Sequence, residues 1–312
     1  MRILVTGSSG FVGRALVETL ARRGHAVQGV TRQTAGDGSL TLDLMDGPAV
    51  AAAFAEARPE IVFHLAARTA LKGDATGFED NVDMTRNVLA AVRATPDVHR
   101  VVWLSSQLVN RPGRVPERDT DYDPPDAYGA SKAESERLIR QSDGGGKTWV
   151  IARSTTIWGP GMSEHYAGVI RMIARGLYFH VGRRPLRKSY SYIDNLAAQL
   201  TTLAEAPPER IHGRTLYLAD SPPIDLRAWA DAFGAEFGRV LPTLPTPVAQ
   251  LLGRVGDLVT RLGKRSPVTS DRVRNVLTEY VYPTDLIDAL HGPPAVGWRE
   301  GVRRTAAWIR SG

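Results

Sequence analysis

The stretch Thr6-Gly7-Ser8-Ser9-Gly10-Phe11-Val12-Gly13 decides how the chain is read. Residues 2–5 before it form a short apolar run. After it, Phe11, Val12, Leu16, Val17 and Leu20 recur at helical spacing over 11–23, and Gly24 ends that helix. The glycines therefore stand at a strand-to-helix turn. Gly7 permits the tight turn, Gly10 lets backbone approach a diphosphate, and Gly13 lets helix and strand pack closely. Free N–H groups and the positive end of the helix then face the anion. Three such glycines mean little alone, but between a strand and a helix they predict a dinucleotide site.

Outward from this turn, strand and helix signals alternate. Strands are expected at 26–30, 40–42, 61–65, 101–104 and 149–152, and helices at 49–57, 81–94 and 127–141. Strands that are apolar throughout and separated by helices imply a parallel sheet covered on both faces. The expected class is α/β: a Rossmann-type doubly wound parallel sheet with a smaller, mostly C-terminal substrate-binding lobe. After residue 155 the alternation fades and Pro, Gly and Arg become frequent. The expected division is a core over 1–155, rejoined by 189–206, and a lobe from 156–188 and 207–312. Apolar residues at helical spacing over 248–262, flanked by Arg254, Arg261, Lys264 and Arg265, are expected to pack against that lobe.

The end of the second strand reads Val30-Thr31-Arg32. A cofactor without a 2′-phosphate usually meets Asp or Glu there, whereas Arg can pair with the phosphate. Arg32 therefore favours NADP over NAD. Tyr128-Gly129-Ala130-Ser131-Lys132 opens an expected helix, and i, i+4 spacing puts Tyr128 and Lys132 on one face. A free phenol, with a pKa near ~10, is a poor base at neutral pH, and a neighbouring ammonium favours its ionised form. Tyr128 can then move a proton to or from a carbonyl or alcohol oxygen while hydride moves at a nicotinamide. Ser105-Ser106 ends a strand, and strand ends of parallel sheets point into the ligand crevice, where the Ser106 hydroxyl can hydrogen-bond the reacting oxygen.

Together these residues resemble the extended short-chain dehydrogenase/reductase family, of the NAD-dependent epimerase/dehydratase type. The likeness runs through Asp43, His64-Leu65-Ala66-Ala67, Asn81, Arg153 with Gly159-Pro160-Gly161, Tyr192-Ile193-Asp194-Asn195 and Gly297-Trp298. It implies that Gly7, Ser9, Gly10, Phe11, Val12 and Gly13 hold the cofactor diphosphate. It also implies that Asp43 and Leu44 flank the adenine, that Leu65, Ala66 and Ala67 line the cleft, and that Tyr128 and Lys132 contact the cofactor. Ser106, three residues before Val109, is implied as the catalytic hydroxyl, and a homodimer pairing the helices at 81–94 and 127–141 is expected. Many relatives act on nucleotide-diphosphate sugars, with a basic residue on the phosphate where this chain has Arg187 and Lys188, so the resemblance implies a nucleotide-diphosphate sugar as the expected substrate, by 4-keto reduction or epimerisation. Thr156 stands where those relatives carry an Asn, in Arg153-Ser154-Thr155-Thr156-Ile157-Trp158-Gly159-Pro160, and Val109-Asn110-Arg111 departs from their Val-Tyr-Gly. An apolar ketone or alcohol, as in dihydroflavonol reductases or 3β-hydroxysteroid dehydrogenases, is the alternative. Thr156 and Trp158, with Tyr166, are expected to line the substrate side.

Composition narrows the remaining classes. The 312 residues contain no cysteine, which excludes disulfides, a thiol nucleophile and a thiolate metal site. The 7 histidines show no metal-ligand spacing, so no metal is expected. A net charge of +6 suggests an anionic ligand. With no run of like charge, that ligand is expected to be a small molecule and not nucleic acid. No apolar run reaches the ~20 residues of a membrane span. A strand from residue 2 leaves no room for a secretory signal, so the expected location is the cytoplasm.

Overall fold

A computed structural model describes residues 1–33, 38–69, 77–263, 266 and 268–311, with the side chains of 164–166 left aside; Tyr166, Lys264 and Arg265 fall outside what is described. The first half of the chain alternates as expected. It runs β1 (Arg2–Thr6), α1 (Phe11–Arg22), β2 (Ala26–Thr31), β3 (Leu40–Thr41), α2 (Gly47–Ala57), β4 (Ile61–His64), α3 (Glu79–Ala94), β5 (Arg100–Ser106), α4 (Ala127–Gln141) and β6 (Thr148–Ser154). There follow β7 (Thr156–Trp158), α5 (Glu164–Ala174), β8 (His180–Val181), β9 (Arg187–Lys188), β10 (Tyr190–Tyr192), α6 (Ile193–Glu205), α7 (Pro208–Ile211) and β11 (Arg214–Leu218). The chain closes with β12 (Ile224–Asp225), α8 (Leu226–Glu236), β13 (Thr243–Leu244), α9 (Thr246–Arg261), α10 (Ser270–Leu277), α11 (Asp285–His291) and α12 (Trp298–Ser311).

Seven strands form one sheet in the order β11-β6-β5-β4-β1-β2-β3, every pair parallel. Successive side chains alternate between its two faces. Ile3 and Val5 join Leu16, Leu20, Leu196 and Leu200 on one side. On the other side Leu4 joins Val50, Phe54, Val88, Val92 and Ile139. Both faces are dry, which explains apolar strands without alternation. The strand order reverses beside β1, between β2 and β4, and in open parallel sheets ligands bind at the carboxyl ends of the strands at such a switch point.

Two expectations need correction. β11 lies in the stretch assigned to the substrate lobe, yet it is the edge strand of the central sheet, in register with β6 from Arg214 beside Val150 to Leu218 beside Ser154. Ile287 of α11 is buried in the same core. The lobe proper is built from α5, α8 and α12 around Trp158, Tyr192, Trp229 and Phe233. The 248–262 stripe, expected to be packed away, is exposed along most of α9.

Candidate active site

The turn between β1 and α1 is built by close backbone approach. Gly7 has φ +72, and a Cβ there would stand 2.8 Å from the Ala66 nitrogen. A side chain on Gly13 would strike the Gly7 carbonyl and Ser8. Gly10 begins α1 with no side chain capping it, so the helix offers its first N–H groups outward. Ser9 Oγ lies 2.8 Å from Thr31 Oγ1, which ties the turn to the end of β2. Arg32 follows, exposed, and Asp43 is also exposed, its Oδ1 accepting from the Met45 N–H at 3.0 Å. An uncapped helix end in a glycine cradle suits a diphosphate, so the residues fit a dinucleotide cofactor.

The wall beside the turn is set by buried polar groups. Thr6 Oγ1 accepts from the Leu65 and Ala66 N–H groups and lies 2.9 Å from His64 Nδ1. Burial, with the Lys132 charge nearby, pushes the His64 imidazole down to about 3. It is therefore neutral, and it must acquire a proton on unfolding below its ordinary pKa. The sign follows: stability is present above about pH 6.5 and is lost as pH falls toward 3. Between pH 6 and 5 this one group should add a slope of about 1.4 kcal/mol per pH unit, and His64→Gln should remove it in denaturant melts across that range.

Ser106 ends β5, buried, with its Oγ accepting from the Leu108 N–H at 3.1 Å. Asp126 caps α4 by accepting from the Gly129 N–H at 2.7 Å, which places Tyr128 in the first turn and Lys132 one turn on. Gly129 sits against the Leu108 carbonyl so closely that no side chain fits between them. The Tyr128 ring is half-buried, 6.0 Å edge-on from Phe78. Lys132 is buried and its Nζ donates to the Leu104 carbonyl at 2.6 Å. Burial lowers the ammonium to about 8, partly opposed by Glu136. Thus Ser106, Tyr128 and Lys132 come from one strand end and one helix, locked by contacts between their immediate neighbours.

Glu136, one turn beyond Lys132, escaped the sequence reading. It is fully buried and takes Arg153 Nε at 3.0 Å and Nη2 at 2.7 Å, Ser105 Oγ at 2.6 Å and Tyr122 Oη at 3.1 Å. Burial opposes the Arg153 charge, and the Glu136 carboxylate more than offsets this, so the guanidinium is held above its ordinary value. The signal was present as Tyr-x-x-x-Lys-x-x-x-Glu, three groups on one helical face with an Arg later in the chain. Asn81 plays a similar part, accepting from the Arg68 N–H at 2.7 Å and donating to Ser131 Oγ at 3.0 Å.

The residues expected on the substrate side separate. Thr156 is half-buried and its Oγ1 lies 3.4 Å from Gln107 Nε2, beside Ser106. Trp158 is buried in the lobe core, edge-on to Tyr192 at 5.1 Å and Trp229 at 5.5 Å. Arg187 is exposed and paired with Glu279 at 3.3 Å. Lys188 is turned inward. Its Nζ donates to the Asn275 carbonyl at 2.8 Å and to the Thr278 carbonyl, and lies 3.9 Å over the Tyr280 ring. It closes the carbonyl end of α10, and burial lowers it to about 8.

Three comparisons bear on this geometry. A model described as the NAD dependent epimerase/dehydratase family matches residues 3–219. The chain is 29% identical to the 2-alkyl-3-oxoalkanoate reductase of Stenotrophomonas maltophilia, over 98% of this chain and 99% of that protein. It is also 29% identical to a 3-beta-hydroxysteroid dehydrogenase of Mycolicibacterium neoaurum, over 78% and 72%. Among solved structures, the Thermus thermophilus UDP-glucose 4-epimerase complex with NAD is similar with a TM-score of 0.71 and 26% identity, over 99% of both chains.

Proposed function

Because the chain belongs to the NAD-dependent epimerase/dehydratase family, and is with it an NAD(P)-dependent oxidoreductase or isomerase, we propose that it interconverts an apolar ketone and its alcohol. Tyr128 is the acid/base, Lys132 its electrostatic support, and Ser106 the hydrogen-bond donor to the reacting oxygen. The bound nicotinamide supplies or takes up the hydride. In the reducing direction the Tyr128 phenol gives its proton to the carbonyl oxygen as the carbon is reduced; in the oxidising direction the phenolate takes that proton back. A positive Lys132 favours the phenolate, and Ser106 stabilises charge on the oxygen. The glycine turn 7–13 would hold the diphosphate, Asp43 and Leu44 the adenine end, and Leu65 to Ala67 the cleft wall. Arg32, in place of an acid, favours NADP over NAD. A homodimer pairing α3 and α4 belongs to the same reading.

Lys188 is the observation that carries the choice of substrate. The ammonium expected to meet a nucleotide diphosphate is spent on two backbone carbonyls and an aromatic face. Arg187 beside it is already paired. The oxoalkanoate reductase and hydroxysteroid dehydrogenase, by their names, act on apolar carbon skeletons, which supports the same choice. The second reading, a nucleotide sugar, rests on the likeness to the UDP-glucose 4-epimerase.

A melting screen with turnover assays separates them. A ligand at a hundredfold excess over its Kd stabilises by about 2.7 kcal/mol. NADPH should raise the melting temperature more than NADH, UDP-, GDP- and dTDP-sugars should leave it unchanged, and NADPH should be consumed with a long-chain 3-oxo acid or a steroid ketone. Stabilisation and turnover with a nucleotide sugar would replace this reading by the second.

A further inference from the structure

The face left open by α9 goes beyond the catalytic reading and stands on separate observations. Val248, Leu251, Leu252, Val255, Leu258 and Leu262 are 41 to 72% exposed and lie within one arc of about 120° around the helix. They make up six of the thirteen exposed large hydrophobic side chains among the described residues, gathered into one ridge. A ridge of that size is an interaction surface. The opposite side of α9 is already engaged: Ala249 is buried, a side chain on Gly253 would crowd Ser270, and one on Gly256 would strike the Val268 carbonyl. The rest of this chain therefore holds α9 by its small residues and turns the leucines outward.

The charges beside the ridge point to its occupant. Arg254 and Arg261 project from the polar flank of the same helix, both exposed. At its first turn α9 meets the rest of the chain on the far side from the ridge, where Gly182 abuts Thr246. Neither Arg254 nor Arg261 lies within ion-pair distance of a described residue, in contrast to Arg274, which is paired with Asp271, and to Arg187, although the Arg261 charge joins the Ser270 hydrogen bonds in holding the Asp257 carboxyl down. On the helix itself the acidic group is Asp257, whose carboxylate accepts from the Ser270 N–H at 3.0 Å. An apolar ridge bordered by unpaired guanidiniums matches a lipid surface that presents acyl chains below and phosphates above.

We propose that α9 seats the protein on an anionic lipid surface, with the leucine ridge in the acyl boundary and Arg254 and Arg261 at the phosphates. The test is sedimentation of the full chain with phosphatidylcholine vesicles, with and without phosphatidylglycerol, at low and high salt. The wild type should sediment with the anionic vesicles and lose most of that binding as salt rises. Leu251→Gln/Leu258→Gln, at exposed positions where Gln keeps helix propensity, should weaken partition at least about tenfold. Arg254→Gln/Arg261→Gln should weaken it about tenfold and flatten the salt dependence. Melting curves and catalytic turnover without lipid should be unchanged in both variants. Absence of wild-type binding, or binding that the leucine variant leaves intact, would overturn the proposal. So would a dimer in light scattering that the leucine variant dissolves, because the ridge would then be an interface between copies.

Discussion

Tyr128→Phe should lower kcat by about 10²- to 10⁴-fold, the range typical of a lost general acid/base, while the melting-temperature rise produced by NADPH persists. The variant keeps the ring and its edge-on contact with Phe78, and only the phenolic oxygen disappears. Lys132→Met should behave differently. It removes a buried ammonium that bonds the Leu104 carbonyl, so both cofactor stabilisation and turnover should fall. Turnover of a genuine substrate by Tyr128→Phe at the wild-type rate would remove Tyr128 from the chemistry and leave the cradle standing as a binding site.

The second large effect is structural. Glu136→Leu leaves Arg153, which has no exposed side-chain surface, without its carboxylate. Breaking a buried pair by removing one partner costs about 3–5 kcal/mol, because the remaining charge is stranded. Ser105 and Tyr122 lose an acceptor as well. Glu136→Leu/Arg153→Met should recover much of the loss, since apolar replacement of both partners is often neutral. Denaturant unfolding of the two single variants and the double measures this coupling. A double variant as unstable as the sum of the singles would mean that Glu136 and Arg153 act separately.

The sequence was most informative where function needs a particular backbone. The glycine turn was legible because Gly7 and Gly13 answer steric demands that another residue cannot meet. Tyr128 and Lys132 were legible because helical spacing fixes their shared face. Glu136 was not, because a glutamate among Glu134, Arg137 and Arg140 reads as one more solvated charge until β5 and β6 are seen to cover it. The inward turn of Lys188 is hidden from the sequence for the same reason. A lysine in a loop-rich stretch suggests exposure, and only the approach of α10 reveals the two carbonyls that draw it inward. The α9 stripe inverts the case: periodicity announced an apolar face but not whether anything in the chain would meet it. The place of β11 is illegible because a five-residue strand carries no mark of which sheet it will join.

The missing side chain at Gly129 has a consequence for how such an enzyme can diversify. With main chain resting on main chain between the serine strand and the tyrosine helix, neither element can shift without dragging the other. Ser106, Tyr128 and Lys132 are thus carried on one block of packed backbone. Thr156, in β7, and Tyr280, bridged to Lys188 of β9, lie outside that block. On the proposed assignment, the one hydrogen atom at Gly129 keeps the acid/base pair and the serine in step whatever surrounds them.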